Sequence, residues 1–145
     1  MDGIFENLSL WSAIFAWAAA QAIKILIELY KTKKLRLALI ISSGGMPSSH
    51  TAFVTAMSIA IGLIEGFHSM LFAVSAVMSL VVMYDASGVR RAAGKQAEVI
   101  NMIVENIENT GLILDKKLKE LLGHSPIEVA AGAALGTLIA IICCR

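Results

Sequence analysis

The sequence predicts an all-α fold: a polytopic membrane helical bundle of about four spans, with an amphipathic helical insert before the last span. Three observations point there. Of 145 residues, 57% are hydrophobic and only 16% are charged, against about a quarter charged in an ordinary soluble domain. Mean hydropathy is +0.76. The apolar residues also gather in four runs that are apolar all round, whereas a helix of a soluble bundle keeps one face for water. The length suits one domain, 1–145.

The first run extends from about Leu8 to Tyr30, interrupted only by Ser12, Gln21, Lys24 and Glu28. The preceding residues carry Asp2 and Glu6 and no Lys or Arg. A secretory signal has a basic start and a cleavage site, so this segment is expected to stay attached. KTKKLR at 31–36 closes the run, and LALIIS at 37–42 is too short to cross a bilayer. The stretch GGMPSSHTA at 44–52 then leads into the second run, Thr51 to Ile64, and the third follows from Met70 to Tyr84. A membrane helix needs at least about 17 residues, so these two span only with their flanks included.

Between Ala86 and Ser125 the chain turns polar. Val99, Ile100, Ile103 and Ile107 recur at helical spacing and predict an amphipathic helix from Val89 to Glu108. A turn at Asn109-Thr110-Gly111 and a short amphipathic helix are expected next. The fourth run is Ile127 to Cys144, where Ala131, Gly132, Ala134, Gly136 and Ala140 are small enough for neighbouring backbones to approach closely. The adjacent Cys143 and Cys144 read as packing residues, since sequence neighbours rarely bridge and two thiols make no zinc site.

Threading these runs through a bilayer brings every unusual polar motif to one face. The first span ends there, GGMPSSH stays there, the third span returns Asp85, Arg90, Arg91 and Lys95 to it, and the fourth departs just after His124. Ten of the twelve basic residues share that face: Lys31, Lys33, Lys34, Arg36, Arg90, Arg91, Lys95, Lys116, Lys117 and Lys119. The positive-inside rule then predicts a multi-pass protein of a cell inner membrane, with this face in the cytoplasm and both termini outside. A net charge of +1 and the lack of any basic, aromatic-studded stretch predict no nucleic-acid partner.

Several residues on that face could do chemistry. Pro47-Ser48-Ser49 reads as a helix start with a serine N-cap, which could by itself account for His50. A helix N-terminus with free amides is also a ready anion site. His124 stands before the fourth span and Glu128 follows one turn later. That carboxylate can fix the tautomer of His124 and leave the other ring nitrogen nucleophilic, or simply favour the positive end of its helix. Lys24 lies inside the first span, where a lysine is a functional candidate by default. Its plainer readings are a pair with Glu28 or snorkelling to the interface. Arg90 and Arg91 could clamp phosphate oxygens bidentately or anchor the chain to the membrane surface. Two histidines, a carboxylate, cations and a Gly/Ser anion nest make a phosphoryl-transfer set. A metal would need several carboxylates together, so neither metal nor other cofactor is expected.

These residues resemble a known family. PSSH, followed by H-x-x-x-E leading into VAAGAALG, is similar to the type 2 phosphatidic acid phosphatase (PAP2) superfamily, which includes the vanadium haloperoxidases. GGMPSSHTA, YDASGVRRAAGKQAE and LGHSPIEVAAG together resemble its divergent PAP2 branch over essentially the whole chain. The resemblance implies His50 as general acid, His124 as nucleophile, Glu128 as its orienting carboxylate and Lys24 as the lysine of the superfamily's first motif. The chain departs from the superfamily pattern at four places. Lys31 stands seven residues after Lys24 with no Arg-Pro, and Ser49 replaces the glycine of Pro-Ser-Gly-His. Leu118 stands where the third motif has arginine, and Glu128 replaces aspartate. Arg90 or Arg91 is expected to supply the missing cation.

The function so implied is a membrane-embedded, metal-independent phosphatase that hydrolyses a lipid phosphate or pyrophosphate through a phosphohistidine. Lys24, Ser48, Ser49 and an arginine of the 90–91 pair would bind phosphate. The alternative is a non-catalytic phosphate or phospholipid binder, or a transporter component, which needs the cations but not the His–Glu pair. The expected partners are a lipid phosphate and the bilayer, and the sequence leaves homo-oligomerisation open.

Overall fold

A computed structural model of the chain describes residues 3–33, 45–108 and 123–145, and within them the side chains of residues 90, 91, 107 and 108 are not described. The expected turn at 109–111 and the short helix after it lie outside the described residues. So do the guanidinium groups of Arg90 and Arg91. The described residues form five helices: α1 Leu8–Thr32, α2 Ser49–Glu65, α3 Met70–Ser87, α4 Val89–Glu108 and α5 Pro126–Cys143.

Short polar side chains set the helix starts. Asn7, Ser48, Ser69 and Ser125 cap α1, α2, α3 and α5, each accepting a backbone N–H of the first turn. α1 ends at Lys33, which adopts the left-handed conformation, with its N–H donating to the Leu29 carbonyl. Among the described residues, α1, α5 and the stretch beginning at Met70 are long and apolar enough to cross a membrane. α2, at 17 residues, is the shorter apolar helix and stands at the lower limit for a span.

The helices pack with small residues inward and large apolar residues outward. α1 buries Ala13, Ala16, Ala20 and Lys24 along one face; α2 buries Thr51, Ala52, Thr55, Ala56, Ser58 and Ala60. Leu71, Val74, Val77, Leu80 and Val81 of α3 are exposed, as are Leu138 and Ile142 of α5. A soluble protein would invert this arrangement. In lipid the tails are as apolar as leucine, so helices associate through close backbone packing and interhelical hydrogen bonds.

α2 is the central helix, touching α1, α3 and α5. Its contact with α5 is the tightest. A Cβ at Gly132 would run into the Ser48 carbonyl and the Thr51 side chain, and one at Gly136 would meet the Ala52 carbonyl. Gly132, Gly136 and Ala140, spaced four apart, form the buried edge of α5, whereas Ala134 faces outward. Serines join α2 to α3: the Ser75 and Ser58 hydroxyls lie 3.2 Å apart, and Ser79 Oγ donates to the Val54 carbonyl at 2.9 Å. α4 packs on α3 and buries Ala97 and Asn101, while Val99, Ile100, Met102 and Ile103 are exposed.

Candidate functional site

The site is assembled where the starts of α2 and α5 meet the end of α3 beside α1. Ser48 N–H donates to the Glu128 carbonyl at 3.0 Å, tying the start of α2 to the first turn of α5. His124 N–H donates to the Ala86 carbonyl at 2.8 Å, tying the segment before α5 to the last turn of α3. Gly123, at φ +95°, occupies the left-handed region that suits glycine and delivers His124 into place. From α1, Lys24 Nζ donates to Ser49 Oγ at 3.2 Å.

His124 is 2% exposed, and its Nδ1 lies 3.0 Å from Glu128 Oε2. The same oxygen accepts the Ser125 N–H at 3.0 Å, while Ser125 Oγ accepts the Glu128 N–H at 3.3 Å, completing a capping box. Glu128 therefore contacts the His124 ring and caps the helix whose first turn it occupies. An ionised carboxylate only accepts, so Nδ1 carries the proton and Nε2 of the neutral ring holds the lone pair. His50 stands on the first turn of α2, exposed, with its ring centroid 6.4 Å from that of His124. That gap is too wide for the two rings to hydrogen-bond each other.

Lys24 sits two turns inside α1, about 12 Å from its end at the helical rise per residue. At 5% exposure it does not snorkel. Its ammonium turns inward to Ser49, within the field of the Glu128 carboxylate. Ser49 is thus held by the lysine. Ser48 is fully buried, with its hydroxyl oxygen accepting from Thr51 N at 3.3 Å and from Thr51 Oγ1 at 3.0 Å. Ser48 accordingly acts as the cap of α2. The backbones of Arg90 and Arg91 open α4, one turn beyond α3.

Sequence reading gave Asp85 no role in the site. Asp85 and His50 line, together with Val81, Val82 and Ala86, a cavity of about 300 Å³ between α2 and α3. The signal was available in the hairpin register. His50 lies sixteen residues before Gly66 and Asp85 sixteen after Ser69, so an antiparallel pair turning at 66–69 sets them side by side.

Known proteins bear on this arrangement. Residues 5–139 match the family described as the divergent PAP2 family. The chain is also 43% identical to the uncharacterized membrane protein YuiD of Bacillus subtilis (strain 168), covering 96% of this chain and 95% of that one. No solved structure matches it significantly. With three helices among the described residues able to cross a membrane, a small-residue core and a match over nearly its full length, the chain is an integral membrane protein that belongs to the divergent PAP2 family.

Proposed function

We propose that this protein is a phosphatase of lipid phosphates or pyrophosphates, built as a single membrane domain with its site on the cytoplasmic face of a cell inner membrane. The observation that carries the reading is the buried His124–Glu128 pair at 3.0 Å with a second histidine facing it. A binding protein needs cations at this point but has no use for an oriented imidazole.

In the proposed reaction His124 Nε2 attacks phosphorus. The bond to the leaving oxygen breaks, its electron pair staying on that oxygen, which takes a proton from His50. Water then attacks the phosphohistidine, His50 accepts the water proton, and the P–N electron pair returns to Nε2. The Lys24 ammonium, held by Ser49, and the positive starts of α2 and α5 would stabilise the charge developing on the phosphoryl oxygens. Ser48 would contribute by shaping the α2 start, and Arg90 or Arg91 would supply a further cation.

Phosphate release from a panel of lipid phosphates by the purified protein in detergent tests the reading. His124→Ala should abolish turnover and the acid-labile radiolabelled phosphohistidine while the far-UV dichroism is unchanged. A phosphohistidine that persists in His124→Ala would overturn the nucleophile. For the face, a cysteine at Lys33 in a background lacking Cys143 and Cys144 should resist impermeant maleimide in intact cells and react once they are opened. Labelling of intact cells would place the site outside.

A further inference from the structure

His124 has its own carboxylate, and the geometry points to a second one for its partner. We propose that Asp85 is a positioning residue for His50, holding that imidazole protonated and directed at the leaving group as Glu128 orients His124. Its catalytic consequence rests on the phosphatase reading above; the charge pairing itself does not.

Three observations carry it. Asp85 and His50 are the polar members of a small cavity whose other walls are Val81, Val82 and Ala86. A charge pair facing apolar walls is screened less than one in open water. The last turn of α3 also already serves the site, because the Ala86 carbonyl, next to Asp85, holds the His124 backbone at 2.8 Å. One turn of helix thus holds the His124 backbone and lines the same cavity as His50. Finally, the two rings have opposite surroundings. His124 is buried, and Glu128 divides its oxygen between Nδ1 and the Ser125 N–H while facing Lys24. Burial favours the neutral ring that a nucleophile requires. His50 is exposed, and an isolated histidine with an ordinary midpoint of about 6.5 is mostly neutral at physiological pH. A general acid must hold its proton, and a facing carboxylate favours the protonated form.

Near His50 stand the His124–Glu128 pair and Lys24, which reaches Ser49 beside it. The ammonium opposes protonation of His50, which makes the Asp85 charge more necessary. Both His50 and Asp85 lie just outside the apolar runs Thr51–Ile64 and Met70–Tyr84, where water can deliver protons.

The chain has three histidines, so ring-nitrogen NMR on the full-length, imidazole-labelled protein in detergent resolves His50 from His68 and His124. The wild-type midpoint of His50 is expected at or above about 6.5; a value clearly below it overturns the proposal whatever the variants do. Asp85→Asn should lower that midpoint by about one pH unit and leave the signals of His68 unmoved, and Asp85→Glu should restore most of the shift. An unmoved His50 in a folded Asp85→Asn protein also overturns it. In turnover, Asp85→Asn should lower kcat on lipid phosphates about tenfold with little change in KM. The basic limb of its pH profile should shift to lower pH, and the deficit should shrink for p-nitrophenyl phosphate, whose leaving group needs no proton. If the midpoint moves as expected but the wild type releases no phosphate from any substrate, the pairing stands and the phosphatase reading falls.

Discussion

α2 and α3 are consecutive helices of similar length and hydropathy, yet they occupy opposite positions in the molecule. α2 buries Ser49, Thr51, Ala52, Thr55, Ala56, Ser58, Ala60 and Gly62; α3 buries only Ser75, Ser79 and Ala86 and turns its valines, leucines and methionines outward. The difference lies in side-chain size. In a bilayer a large apolar residue gains nothing by moving from lipid to protein, whereas a small one lets two backbones approach. Small and hydroxyl residues therefore mark the inside of this bundle, and the helix that buries most of them lies at its centre.

The comparison can be broken first at its tightest point. Gly132→Leu drives a side chain into the Ser48 carbonyl and Thr51 of α2. The clash is with backbone and cannot relax by a rotamer change. It should destabilise by about 3 kcal/mol or more, read as loss of the folded fraction on thermal unfolding in detergent, with the site lost as well. A smaller effect is expected where α3 does reach inward. Ser79→Ala removes the hydrogen bond to the Val54 carbonyl and should cost roughly 0.6 kcal/mol, measured by the same unfolding. The smallest is expected on the outer face. Val77→Leu, exposed on α3, should fall within about 0.5 kcal/mol of wild type. A Val77 variant as damaging as the Gly132 one would mean that α3 meets another protein surface there.

Much of this architecture was legible in the sequence because bilayer crossing is a requirement on length and polarity. The runs Leu8–Tyr30, Met70–Tyr84 and Ile127–Cys144 lie within three residues of α1, α3 and α5, and the amphipathic spacing gave the bounds of α4. α2 begins at Ser49 rather than Thr51 because a hydropathy run stops at polar residues, whereas a helix stops at its cap. Within the site, the i,i+4 spacing of His124 and Glu128 was enough to foresee their contact. Contacts between helices were not foreseen. Lys24 had Glu28 in reach along its own helix, yet it donates to Ser49 on the next. That choice depends on how two helices are set against each other, which local spacing does not encode.

One atom, Glu128 Oε2, accepts both the N–H that begins α5 and the ring proton that orients His124, while the carbonyl of the same residue receives Ser48 at the start of α2. Winding that first turn and orienting the His124 ring are therefore a single event. During biosynthesis α5 follows the other four helices in chain order, so a nascent chain still threading into the bilayer carries His124 without its carboxylate in place. The ring is oriented once that first turn has wound, and the link to α2 forms as α5 docks.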